Sequence, residues 1–572
     1  MDQLPAGLWY DEADNLFQAR HIASDPGQTP VYVPSTNLPS LFLLPIALVV
    51  KLAGVAITTG RLVSVAFGLA GIVAVFLFVR LALGTRAGLV AALLVSVMRW
   101  DINWSRIGMH GITAPLFAAL TAYLTLRALK TGRFSDYGLA GASLGLGMWF
   151  YTPLRIFPLV AAFMLLHHLI IQRPGVRRFA AQAGVMAAVS LVVAAPVVLT
   201  AVQDSDQFFK RTQTTSIFDM VPRDQVAGQI KSSLVKHALM FNERGDPNPR
   251  HNLPDIPMLD FLTGTLMLLG LGIALWRWRD VALVSLPFWI FFMVLPGVLT
   301  IPSEAPQSLR SITAIPAVAA LGALVVVVIW RAGDDAPWRW VRRATTPFVL
   351  ALLGVIAFSN VDTYFGAQAS DPRVFAAFST DETLMSRHMT DQQRRGYSLW
   401  VSRQFLFGLT STLLANGPKF EVIRAPETIP LDSSRLWRGA SIYLEPRESG
   451  FYETLREYYP DGQFTAVRAP GGGEPLYYSA VISREQLAAR QGLEATYRLA
   501  DGSQADQIDV TEKAVWRADQ GPANLPYELL WEGSLHVAHP GEYRLQLGGD
   551  TDAVVELDDR PVLTPDRREV TV

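Results

Sequence analysis

Cysteine is absent from all 572 residues, which excludes disulfides, thiolate metal sites and a cysteine nucleophile. Charge is sparse as well. Asp, Glu, Lys and Arg make up 17% of the chain and sum to −1, which leaves no electrostatic footprint for nucleic acid. A phosphate-cradling Gly-rich loop is also missing: "PGGGEP" at 470–475 lies between strand-like runs with no helix after it and reads as a turn. What the chain has in quantity is apolar surface. Half of the residues are apolar, with 29 Phe and 14 Trp, and they crowd into the first two-thirds. That is the profile of a polytopic membrane protein followed by a soluble part.

A membrane crossing needs about 20 mostly apolar residues. Runs that meet or approach this lie at 38–58, 61–83, 86–99, 109–129, 136–152, 153–172, 178–202, 257–277, 280–301, 310–330 and 345–360. Basic residues collect at every second connection: Arg80 with Arg86; Arg127, Lys130 and Arg133; Arg173, Arg177 and Arg178; Arg277 with Arg279; and Arg331, Arg339, Arg342 and Arg343. Short cytoplasmic loops retain Lys and Arg, so these turns are assigned to the inside. The outside then receives 99–109, 152–155, 203–256, 302–310 and everything beyond 360. The run 38–58 carries Pro45 and Lys51 and follows the Pro-rich "PVYVPSTNLPS", so it is expected as a juxtamembrane helix in the interface. About ten spans remain, residues 1–37 become the first external loop, and an inward-to-outward helix is expected upstream of this sequence.

On the outer face, carboxylates and cations of several segments are expected to meet. They are Asp11, Glu12 and Asp14; Asp101, Arg106 and His110; Arg155; Asp246, Arg250 and His251; and Glu304 with Arg310. Such a mixture suits a reaction in which a carboxylate takes a proton while cations hold a departing phosphate, which arginine grips with a planar fork. Each residue has a plainer reading. Asp11 can cap the helix formed by Ala13, Leu16, Phe17, Ile22 and Ala23, Arg106 and Arg155 can snorkel to headgroups, and His110 can pack at a helix start.

The order of "DEAD", "PVYVPSTNLPSLFLLPIAL", "GRLVSVAFGLAGIVAVFLFVRLALGTRAGLVAALLVSV" and "SRIGMHGITAPLFAALTAYLTLRALKTGR" resembles the C-type glycosyltransferase superfamily over residues 8–360. Within it, the branch of protein mannosyltransferases and lipid A aminoarabinose transferases is the most similar. The resemblance implies a polyprenyl-phosphate sugar donor, an acceptor hydroxyl on a protein, lipid or glycan, and inversion at the anomeric carbon. It implies Asp11 as general base, with Glu12 as the alternate. Charge and sidedness, not motif transfer, nominate Arg310, Arg250, Arg106, Arg155, His251 and Asp101 as substrate-binding residues. Where some relatives carry a second acidic residue, this chain has His110 and Thr113. Asp11 and Asp14 are spaced so that they could share a divalent cation, but no obligatory metal or other cofactor is expected.

Residues 1–365 are thus read as a multi-pass plasma-membrane glycosyltransferase domain in contact with membrane lipids. Two extracytoplasmic pieces follow. Residues 371–487 read as a small α/β domain, from the helical "GFYETLREYYPDG" and the strands "ASIYLEP" and "LYYSAVI". From 490 to 572 the strands "GLEATYRL", "YELLWEGSLHV", "GEYRLQL" and "DAVVELDDRPVL" resemble a protective-antigen-type β-sandwich that stops before its last strands. There Tyr543, Leu545 and Leu547 would share a buried face, and Asp550 and Asp552 could touch a cation or a sugar. Two other classes compete with an enzyme. A transporter would favour mid-membrane charges and internal repeats, and a membrane-anchored carbohydrate-binding protein would need only one span.

Overall fold

The computed structural model describes every residue except 1–4, 403–407, 415–418, 424–427, 434–435, 471, 510–525, 538 and 549–551. The chain divides into two compact units, 1–387 with 408–416 and 469–473, and the remainder from 388 onward.

The first unit is helical. In order it contains α1 (Tyr10–Ser24), α2 (Leu43–Ala53), α3 (Ile57–Leu83), α4 (Thr85–Val97), α5 (Arg99–Ser105), α6 (Thr113–Thr131), α7 (Phe134–Gly147), α8 (Phe157–Gln172), α9 (Val176–Gln203), α10 (Ser205–Thr215), α11 (Ile217–Met220), α12 (Val226–Leu239), α13 (Phe261–Trp276), α14 (Val281–Val298), α15 (Ser308–Ser311), α16 (Ile315–Asp334) and α17 (Arg339–Asp362). Among the described residues, seven helical stretches are long and apolar enough to cross a membrane, and α2, α4 and α13 are shorter apolar helices. At about 1.5 Å per residue, 13-residue α4, 14-residue α7 and 16-residue α13 fall short of a full crossing of roughly 30 Å. The run 38–58 forms a helix only over its 11 central residues, because Gly54 turns to positive φ (80°) and ends it. The large loop 203–256 holds α10, α11 and α12, followed by irregular chain from 240.

Packing follows residue size. Every residue of α16 from Ile315 to Val327 is buried, as expected of a helix apolar on all sides at the centre of a bundle. Gly141 and Gly145 of α7 lie where an added Cβ would run into the backbone carbonyls of Met186 and Ser190 on α9. Small residues at this spacing let the two backbones approach, which is how helices associate in lipid.

The second unit begins with a five-stranded sheet of β1 (Ser398–Val401), β2 (Phe420–Val422), β3 (Gly439–Leu444), β4 (Gln463–Arg468) and β5 (Pro475–Ser483) in the order β2-β1-β3-β5-β4. β1 pairs in parallel with β2 and β3, and β5 runs antiparallel to β3 and β4. The helix Ser449–Tyr458 buries Phe451, Tyr452 and Leu455. Positive φ at Gly472 and Gly473 makes the turn expected of "PGGGEP". Beyond it, β6 (Leu493–Leu499), β7 (Gln504–Asp509) and β8 (Tyr527–Glu532) form an antiparallel sheet in the order β7-β6-β8. β9 (Arg544–Gln546) pairs with β12 (Glu569–Thr571), and β10 (Val555–Leu557) with β11 (Arg560–Leu563). The alternation in "EYRLQL" is only partly realised. Leu545 and Leu547 are half-buried and Tyr543 is exposed, because this short strand has only β12 beside it. Asp550 lies outside the described residues.

Candidate active site

The acidic opening of the chain becomes the first turn of α1. Trp9, not Asp11, occupies the cap position, so the expected capping role of Asp11 is not what the structure shows. Asp11 and Glu12 sit where the exposed N–H groups of the helix favour negative charge. Their surroundings differ sharply.

Glu12 is 2% exposed, and all of its capacity is committed. Its Oε1 accepts from Arg61 Nε at 3.0 Å and from the Gly108 amide at 2.8 Å, while Oε2 accepts from the second Arg61 nitrogen at 3.0 Å and from the Trp9 amide at 3.3 Å. Arg61 spends its remaining donors on the Pro5 and Gly7 carbonyls. The pair is a buried, fully satisfied fork that locks α1 against α3. Arg61 lies inside one of the quoted motifs but was not among the nominated residues. An arginine in the first turns of an apolar helix was the signal for it.

Asp11 is half-buried and makes no hydrogen bond or ion pair through its side chain among the described residues. Burial raises its carboxyl above the ordinary value, opposed by the charges of Arg211, Arg250 and His251 and assisted by Asp14. Asp14 is directed elsewhere: its two oxygens accept from the Ser35 hydroxyl and from Gln18 Nε2 at 3.4 Å.

Arg250 and His251 come from the segment between α12 and α13. The Arg250 guanidinium lies 4.5 Å over the Trp9 ring, and its buried Nε has no partner among the described residues. His251 packs on Trp104 at 5.0 Å and donates from Nδ1 to Asp246 Oδ2 at 2.8 Å. The same Asp246 oxygen accepts from the Ser308 amide at 2.7 Å and the Ser308 hydroxyl at 2.8 Å, and Oδ1 accepts from the Asn248 amide at 2.9 Å. Burial alone would raise the Asp246 carboxyl, but His251 and the amides of Ser308 and Asn248 outweigh it and hold it below its usual value. One carboxylate therefore joins the segment carrying Arg250 and His251 to the turn carrying Arg310.

Arg310 points a buried nitrogen with no partner among the described residues, and its other end nitrogen is 3.5 Å from Glu304. Its backbone amide donates to Gln307 Oε1 at 2.9 Å, and the Gln307 amide in turn donates to His237 Nε2 at 3.1 Å. Arg211 of α10 completes the cluster, because its charge acts on Asp11, Arg310 and Tyr151 together. From 203–256 the sequence reading nominated only Arg250 and His251 and the carboxylate Asp246, and so missed it.

The other nominated residues engage partners of their own. Arg155 stacks on Phe208 at 4.1 Å and donates to the Tyr32 hydroxyl at 2.9 Å. Arg106 lies over Phe365 at 5.4 Å, and its charge acts on the neighbouring Tyr364. Asp101 is buried on α5, and desolvation pushes its carboxyl up to about 7. None of these three is among the charges that act on Asp11. His110 is buried against Phe42 at 4.8 Å, the packing role read for it. No group of three or more His, Asp or Glu side chains among the described residues is placed to hold a metal ion.

The arrangement sets an unpartnered carboxylate, made more basic by burial, among cations with unused donors. It can accept a proton on one side while a dianionic oxygen cluster is held on the other.

Residues 38–199 match the model of the dolichyl-phosphate-mannose-protein mannosyltransferase family. This bears out the resemblance to the C-type glycosyltransferase superfamily. No curated protein matches the sequence. Among solved structures, ArnT from Cupriavidus metallidurans in the apo state is 13% identical with a TM-score of 0.48, over 83% of this chain and 93% of that one. ArnT bound to undecaprenyl phosphate is 14% identical with a TM-score of 0.46, over 84% and 95%. The Archaeoglobus fulgidus oligosaccharyltransferase tethered to an acceptor peptide is 15% identical with a TM-score of 0.46, over 88% and 70%.

Proposed function

We propose that this chain is a membrane glycosyltransferase that moves a monosaccharide from a polyprenyl-phosphate donor to an acceptor hydroxyl at the extracytoplasmic face. The family match over residues 38–199 supports the class of reaction. The observation that carries the site is Asp11, a carboxylate with no hydrogen-bond partner among the described residues, lying among Arg211, Arg250 and His251.

In this reading Asp11 removes the proton from the acceptor hydroxyl as its oxygen attacks the anomeric carbon. The bond from that carbon to the phosphate oxygen breaks on the opposite face, and the electron pair leaves with polyprenyl phosphate, so configuration inverts. Arg250 and Arg310 hold the phosphate through their unused donors, and Arg211 adds charge between them and Asp11. Glu12 is a positioning residue, because its lone pairs are spent on Arg61, Gly108 and Trp9. Residues 1–365 form the catalytic domain, and the α/β domain at 371–487 and the β-rich piece at 490–572 stand on the same extracytoplasmic side. The acceptor is a protein, lipid or glycan.

The test is sugar transfer in membranes from a panel of radiolabelled polyprenyl-phosphate sugars, comparing wild type with Asp11→Asn. Transfer by the wild type that the variant loses is expected. Equal transfer by both overturns the assignment of Asp11, and no transfer from any donor overturns the reaction class.

A further inference from the structure

The second unit has a cavity of its own, about 430 Å³ in volume, with three arginines, Arg394, Arg395 and Arg438, and no carboxylate among the residues that line it. Arg395 shares its charge with Asp391 at 2.9 Å, but Arg394 and Arg438 form no ion pair among the described residues. The rest of the lining is mainly polar. Gln392 is 6% exposed, its amide is 3.1 Å from His388 Nε2, and its buried Oε1 has no partner among the described residues. A buried amide left half-satisfied costs free energy unless something else completes it. Gln463 and Tyr397 supply further hydrogen-bonding groups.

Beside the cavity, Gly396 takes a positive φ of 90°, and a Cβ there would lie 3.5 Å from Arg438 Cγ and 3.7 Å from Trp437 Cδ1. The positive φ is what calls for glycine here, since a Cβ would make only ordinary contact with the Trp437–Arg438 segment. Trp437, the residue before the lining Arg438, is 81% exposed.

We propose that this cavity binds an anionic saccharide, a sugar bearing carboxylate or phosphate groups. Arg394 and Arg438 take the anion through planar forks, the amides of Gln392 and Gln463 take ring hydroxyls, and the Trp437 face covers the apolar side of a ring. The volume lies in the range of small-molecule sites and exceeds what a lone inorganic anion fills. A polar lining in which Val481 is the one aliphatic side chain offers an acyl chain nothing to bury against. This site involves none of the residues around Asp11 and holds whether or not the proposed transfer does.

The experiment is calorimetric titration of the full-length protein in detergent with trigalacturonate, maltotriose or inorganic phosphate. Trigalacturonate is expected to bind with a Kd of about 1 mM or tighter, weakening as salt rises. Arg394→Gln and Arg438→Gln should each weaken it about tenfold, the scale of one charge-assisted hydrogen bond. Arg456→Gln, on an exposed pair with Glu453, should leave it unchanged. Arg394 and Arg438 are exposed, so these variants keep the fold. Four results overturn the proposal: equal binding of maltotriose, phosphate binding as tightly as trigalacturonate, insensitivity to both substitutions, or no binding of any probe.

Discussion

Asp246→Asn tests whether one carboxylate organises the phosphate-holding side of the site. Asp246 is 1% exposed, and its Oδ2 faces three donors at 2.7–2.8 Å, from His251, the Ser308 amide and the Ser308 hydroxyl. Asparagine keeps an acceptor for Asn248 but turns an amino group toward those three donors. Hydrogen bonds to charged groups contribute about 1.5–3 kcal/mol each and do not add. Leaving a buried donor unsatisfied costs about 1–3 kcal/mol, so a destabilisation of about 3 kcal/mol is expected here. Because the lost bonds link the Arg250 segment to the Arg310 turn, affinity for the proposed polyprenyl-phosphate donor should also fall, by about tenfold or more. Unfolding in detergent at neutral pH reads the first quantity, and a binding isotherm reads the second. The pH dependence has a definite sign. The folded Asp246 carboxyl is held below its usual value, so its stabilisation is complete above the ordinary carboxylate pKa of about 3.9 and is lost as pH falls through the folded value. The gap between wild type and variant should be constant above that point and close below it. A variant with wild-type stability and wild-type affinity would refute the reasoning.

Asp11→Asn should lower transfer by about 10²–10⁴-fold, the usual contribution of a general base, without lowering the unfolding midpoint. Burial raises the Asp11 carboxyl, so folding disfavours its charged form and a neutral amide removes that cost. For the same reason wild-type transfer should fall with pH through a value above the ordinary carboxylate pKa, as a pH–rate profile will show. A profile flat down to that ordinary value would count against Asp11 as the base. Arg310→Lys keeps the charge but loses the fork, and should raise KM for the donor about tenfold in a steady-state assay. Arg61→Ala leaves Glu12 buried and unpaired, and should destabilise the protein by about 3–5 kcal/mol in a detergent unfolding assay.

Helix positions were largely legible because apolar length is the dominant signal in lipid. The runs 61–83, 178–202 and 280–301 became α3, α9 and α14 with ends shifted by a few residues. The run 86–99 instead ended at Val97, and a separate helix, α5, began at Arg99, since a polar stretch such as "RWDINW" carries no membrane periodicity. The amphipathic helices of 203–256 were hidden by a charge-rich composition that resembles a loop. In the site, sidedness put Asp11, Arg250, His251 and Arg310 on one face; in the structure the charges of Arg250 and His251 act on Asp11, and Asp246 ties their segment to the turn carrying Arg310. It could not separate Asp11 from Glu12. Which of two adjacent carboxylates meets a buried arginine depends on helix rotation, and sequence order does not record that. It also drew in Arg106 and Arg155, whose aromatic partners are distant in the chain.

The enclosed stretch Ile315–Val327 of α16 bears on biogenesis. Lipid tails are as apolar as its valines, so moving this helix from bilayer to bundle gains nothing from expelling water. Its seat depends on contact between close-fitting surfaces, with Ala317, Ala319, Ala320, Gly322 and Ala323 giving neighbours room to approach. The order in which the ribosome delivers those neighbours, and the thickness of the surrounding bilayer or micelle, therefore govern assembly of this protein more than greasiness does.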